Sequence, residues 1–121
     1  MIDKNYLYYI FDFCVFASEC IGLTKPITVL LVDKNYSDIG STGGYVVDKF
    51  LIKAMYEGRA LVDILRSIAH ELQHQKQNEL DQIPPNPQNI GGRLENEANI
   101  ICGILIKLYV NLKNSKHIYK M

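Results

Sequence analysis

The chain has no excess of charge of either sign, since 13 Lys and Arg balance 13 Asp and Glu. That balance excludes recognition driven by bulk electrostatics, so neither nucleic acid nor a membrane surface is an expected partner. Cysteine is scarce, with only Cys14, Cys20 and Cys102 in 121 residues. An odd count without framework spacing excludes a disulfide-stapled secreted domain. The apolar neighbours of all three predict buried free thiols. No apolar run reaches the ~20 residues of a transmembrane span. The best candidate, Tyr6 to Val15, is broken by Asp12, is followed by Glu19, and lacks a basic leader because Asp3 offsets Lys4. These absences predict a cytoplasmic protein. Repeats, low-complexity blocks and linkers are also missing, so residues 1–121 are expected to form one domain around one core. A hydrophobic content of 48% excludes disorder.

The patterns that are present predict an α+β fold. Residues 3–22 read as a core-facing helix ending at Gly22. Pro26 to Asp33 is a β-branched run expected to form a buried strand. A Gly-rich turn, Gly40 to Gly44, leads to two short strands, Tyr45–Val47 and Phe50–Ala54, with Asp48-Lys49 as a tight turn; one bulged strand is the alternative. The expected sheet is three-stranded, mostly antiparallel or mixed.

Residues 58–77 change to helical periodicity. With Leu61 at zero and about 100° per residue, Ile64, Leu65, Ile68 and Leu72 fall within roughly 60° of it. His70 and His74 fall at roughly 180° and 220°, away from that stripe. Asn78 to Asn89, with Pro84, Pro85 and Pro87, is expected to be a stiff loop. Gly91-Gly92 opens a last helix over 92–112, with Leu94, Ala98, Ile101, Leu105, Leu108 and Leu112 on one face. The basic tail, 114–121, is expected to fray.

Two of the chain's three histidines belong to His70-Glu71-Leu72-Gln73-His74. Composition alone would supply such a string in ~0.4% of chains. Residues four apart on a helix share a face with Cβ atoms about 5–6 Å apart. Two imidazoles so placed can converge on one Zn²⁺. Glu71, next to the first, is positioned to take a proton from a metal-activated water and pass it to a leaving amine. A zinc of this kind needs a third protein ligand and an open fourth position.

Glu95 and Glu97 on the last helix are the candidates for that third ligand. Glu95 is preferred because Asn99, four residues on, could hydrogen-bond the distal nitrogen of a ligand histidine. Glu97 has Ile101 at the equivalent place and suits a surface position near the helix N-terminus, where a carboxylate complements the macrodipole.

The His70-Glu71-Leu72-Gln73-His74 string followed by Glu95-Asn96-Glu97-Ala98-Asn99 resembles the gluzincin branch of the zincin metallopeptidases. The short length is similar to the minigluzincins, and the element order to the ImmA/IrrE peptidases and small phage-encoded relatives. The resemblance covers about residues 27–112, and its specificity lies in the two motifs. It implies a minimal zincin core in which an edge strand above the cleft, here Gly43 to Val47, pairs with substrate backbone, with Tyr45 and Val46 as substrate-binding residues. Asn99 departs from the Asp that many relatives carry. For stabilising an oxyanion, Tyr45, Tyr109, His117 and Tyr119 stay open. The expected activity is zinc-dependent hydrolysis of short peptides or exposed loops, or of one dedicated protein partner. A catalytically silent zincin-fold regulatory module and a metal-free helical adaptor are the alternatives.

Overall fold

The computed structural model describes residues 2–35, 42–84 and 92–121. The element order is α1 (Lys4–Ile21), β1 (Thr28–Val32), β2 (Gly43–Val46), a 3₁₀ turn (Val47–Lys49), β3 (Leu51–Met55), α2 (Leu61–Glu79), α3 (Arg93–Leu112) and a second 3₁₀ turn (Lys116–Lys120). The architecture is α+β, three helices with a small mixed sheet. Gly40 and Ser41 of the expected turn, the proline-rich stretch from Pro85 to Asn89, and Gly91 lie outside the described residues.

Local chemistry sets the ends of α1. Asp3 Oδ1 accepts from the Asn5 amide at 2.6 Å, and Gly22 closes the helix at φ 70 with its N–H on Ser18 O. Such a left-handed cap costs glycine no steric penalty. The sheet runs β1-β3-β2, with β1 parallel and β2 antiparallel to β3. Asp48 and Lys49 lie in the first 3₁₀ turn, which joins β2 to β3 through Phe50 at φ 48, so two strands form and the single bulged strand does not.

The expectation of a buried first strand needs correction. β1 is an edge strand, and its outer positions alternate into solvent, with Leu30 43% exposed. Only one side of β1 has a paired neighbour, so apolar composition alone could not place it centrally.

The core lies between the sheet and the helices. Leu61, Ile64, Leu65, Ile68 and Leu72 of α2 are fully buried with Ile52 and Ala54 of β3, and Phe13 and Ala17 of α1 join them. α2 begins three residues later than expected and runs through Asn78 and Glu79. Glu79 extends the helix usefully, because its carboxylate accepts from the Thr24 and Lys25 amides at 2.7 and 3.0 Å.

The face that α3 presents differs from the expected one. Leu94, Ala98, Leu105, Ile106, Tyr109 and Val110 are buried, whereas Leu108 and Leu112 are exposed. Tyr109 sets this rotation: its ring meets Phe13 and Phe16 edge-on at 5.2 and 5.5 Å, and its hydroxyl donates to Asp12 at 2.8 Å. Leu108, about 100° around the helix from Tyr109, is thereby turned outward.

Two further expectations are corrected. The tail does not fray: Ile118 is fully buried in the core, and Met121 O accepts from the Leu61 amide. Ile118, with Met121 packed beside the core, docks an otherwise polar segment. Of the three free cysteines only Cys14 is buried; Cys20 is exposed in the last turn of α1 and Cys102 is half-buried. Among the described residues no helix is long and apolar enough to cross a membrane.

Candidate metal centre

α2 presents His70, Glu71 and His74 toward the first turns of α3. His70 Nε2 and His74 Nε2 lie 3.1 Å apart, with the rings nearly perpendicular at 82°. Glu95 on α3 closes the triangle, its Oε2 at 3.2 Å from His70 Nε2 and its Oε1 at 2.7 Å from His74 Nε2. Donors held about 2.0–2.2 Å from one tetrahedral metal ion stand roughly 3.3 Å from each other. The three side chains therefore already converge as a zinc ligand set does, and their N₂O chemistry suits that ion. Ligand atoms of His70, Glu71 and His74 also lie within 4.8 Å of one another. That looser spacing places Glu71 beside the convergence point, close enough to serve a water there.

The surroundings hold the two helices' side chains in this arrangement. Asn99 stands beside His70 in the wall of the same cavity, where its side chain favours the charged imidazole. Burial and the adjacent His74 hold His70 below the ordinary imidazole range, against the pull of Glu95 and Asn99. Glu71, 8% exposed, is pushed by burial and then by Glu95 from an ordinary 4.5 to about 8. A cation at the convergence point would lower it again.

The sign of the linkage for metal-free protein follows from that shift. Folded Glu71 holds a proton that the unfolded chain releases above pH 4.5, so its stabilising share is complete below that pH and lost as pH rises to about 8. With chelator present, the stability of Glu71→Gln relative to wild type should rise between pH 5 and 8 by on the order of 2–4 kcal/mol. Urea unfolding of both proteins across that range measures it, and a constant difference would refute it.

A cavity of about 350 Å³ opens on the cluster, lined by Thr42, Gly43, Arg66, Ser67, His70, Glu71, Glu95, Asn99 and Cys102. Gly43, at the start of edge strand β2, forms its roof, where a Cβ would stand 3.3 Å from Glu71 Oε2 and 3.4 Å from Lys53 O. Only glycine lets the strand come this close without displacing the carboxylate. Arg59 ties strand to helix: it donates to Met55 O at 2.8 Å and Ser67 Oγ at 2.9 Å, and Ser67 donates to Thr42 Oγ1 at 3.3 Å. A larger groove of about 670 Å³ lies between α1 and β1, among residues such as Phe11, Val15 and Val29, away from the histidines.

Other predicted residues fall elsewhere. Tyr45 and Val46 sit on edge strand β2 but do not line the cavity, and the Tyr45 hydroxyl accepts from Asn78 Nδ2 at 2.9 Å. Tyr109 is committed to Asp12 and His117 to the Tyr9 hydroxyl, while Tyr119 lines a separate groove with Ile100 and Ile104. Arg66 and Asp63, on the exposed side of α2, form an ion pair at 3.2 Å.

Glu97 does not reach the histidine nitrogens; its Oε1 accepts from Gln73 and Gln77 at 2.7 and 3.1 Å, bonds that hold it below the ordinary carboxylate range. Gly43, the start of the edge expected above the cleft, does line the cavity, whereas sequence reading missed Gln73, Gln77 and Arg59 as parts of the site. Only Gln77 carried a signal, lying three residues beyond His74 on the same helical face. No protein-family model, curated protein or solved structure matches the chain.

Proposed function

We propose that this protein is a zinc-dependent peptidase of gluzincin type, holding its metal through His70, His74 and Glu95. The observation that carries this reading is the convergence of two imidazole nitrogens and a carboxylate at 2.7–3.2 Å, with a buried carboxylate beside them and a cavity in front. Zinc bound there would supply Lewis acidity, polarising a carbonyl and bringing the pKa of a water to about 7. Glu71, beside the convergence point, would serve as the base that takes a proton from an attacking water and as the acid that returns it to the departing amine nitrogen. The outer edge of β2, entering the cavity at Thr42-Gly43, offers main-chain groups to an extended peptide, which strand addition would align across Glu71. Short peptides or flexible loops suit a cavity of about 350 Å³.

One observation favours a second reading, a zinc-binding module without turnover. Among the described residues, His70 is the only tyrosine or histidine that lines the cavity, so the usual aromatic donors to an oxyanion are missing from it. A retained Glu71 weighs against that reading, because a purely structural metal site has no use for it.

Protein purified without chelator is expected to carry one zinc per chain and to cleave a quenched-peptide library, and chelation to abolish both. Absence of stoichiometric zinc would sink the metal reading. Stoichiometric zinc without cleavage would sink the peptidase reading and leave the binding module.

A further inference from the structure

His74 is held from behind by a chain of side-chain amides. Its Nδ1 lies 2.7 Å from Gln77 Oε1. The Gln77 amide nitrogen donates to Leu94 O at 3.0 Å and to Glu97 Oε1 at 3.1 Å, and Glu97 Oε1 accepts a second bond from Gln73 Nε2 at 2.7 Å. Leu94 O can only accept, as can an ionised Glu97, whereas a primary amide has two N–H donors and one acceptor oxygen.

Both donors of Gln77 are thus committed away from the ring. Turning the amide over would press its oxygen against two acceptors at once. In the orientation that satisfies every group, an oxygen faces Nδ1, and that contact is a hydrogen bond only if Nδ1 carries the proton. The requirement is the same for a neutral ring and for an imidazolium. Gln77 is fully buried and His74 is 3% exposed, so leaving this bond unmade would carry the full cost of a buried unsatisfied group.

We propose, on the metal-centre reading above, that Glu97 acts through Gln77 as a positioning residue that keeps His74 Nδ1 protonated. Nε2 then remains the ring's only nitrogen able to ligate, and Nε2 is the atom that faces His70 and Glu95. Glu97, a rival for the third ligand on sequence grounds, thereby acquires a separate task one helical turn behind the site. The same chain explains why two glutamines, Gln73 and Gln77, are buried on a helix face that otherwise carries metal ligands.

The test uses the full-length protein labelled with ¹⁵N in its imidazoles. In wild type, with and without added zinc, His74 Nδ1 should give the ¹⁵N signal of a protonated nitrogen with a directly bonded, slowly exchanging proton. An unprotonated Nδ1 would overturn the proposal. Gln77→Leu, close in volume, should lose that protected proton and bind zinc about 10–100-fold more weakly in competition with a chromogenic chelator. Affinity within threefold of wild type would overturn it.

Glu97→Gln keeps an acceptor oxygen for the Gln77 amide, whereas Glu97→Leu removes it. The first should stay within threefold of wild-type zinc affinity and the second should bind about 10-fold or more weakly; equal affinity of the two, in proteins with wild-type far-UV circular dichroism, would show that Glu97 plays no part in holding Gln77. The wild-type spectrum without zinc is readable even if no metal binds, so failure of the metal reading and failure of the relay give different results.

Discussion

Glu71→Gln should leave one zinc per chain in place and lower peptide turnover by about 10²–10⁴-fold, the usual contribution of a positioned acid–base group. The separation of those two effects follows from where the carboxylate sits. Two histidine nitrogens and Glu95 form the tight triangle, and Glu71 stands just outside it, against the strand at Gly43. Glutamine keeps the volume and one acceptor oxygen but cannot take a proton from water. An alanine would confuse the result by opening space beneath Gly43. Metal content by atomic absorption and rates on a quenched peptide decide the matter together. Loss of zinc would make Glu71 a ligand, and full activity would place the base elsewhere.

The second large effect is expected at position 95. Glu95→Ala removes a donor that lies 2.7 Å from His74 Nε2 and 3.2 Å from His70 Nε2. Zinc affinity should fall by more than the ~10–100-fold that loss of an outer hydrogen-bonding partner causes. Glu97→Ala should fall within that smaller range, because it removes one of the two acceptors that hold the Gln77 amide without removing a ligand. Both residues lie near the N-terminus of α3, so any change in helix-dipole stabilisation is similar and about 0.3–1 kcal/mol. Chelator competition on the two variants gives the order directly; the reverse order would move the third ligand to Glu97.

Much of this was legible from local pattern. The helical period placed His70 and His74 together and turned them from the Leu61–Leu72 stripe, because four residues on a helix return nearly to the same azimuth. Asp3 and Gly22 marked the ends of α1 to within a residue. Where the reading failed, a distant partner had decided. Leu108 and Leu112 were assigned to the core by spacing, yet the rotation of α3 follows Tyr109, wedged against Phe13 and Phe16 of a helix some ninety residues away. The tail was read as loose from its polar composition, but Ile118 found a fully buried place. The apolar run of β1 reads as buried, yet the strand pairs only with β3 and stands at the sheet edge, a placement set by strand order and not by composition.

The sequence by itself determined the α+β class, the helix that bears the histidine pair, and the preference for Glu95, since each depends on contacts within a turn or two of one helix. Tertiary structure alone decided that Gly43 would roof Glu71, that Gln77 and Glu97 would stand behind His74, and that Arg59 would fasten the end of β3 to α2. The contacts of Gly43 with Glu71 and of Gln77 with Glu97 join segments roughly twenty to thirty residues apart whose approach is governed by how whole faces pack, and no local periodicity encodes that.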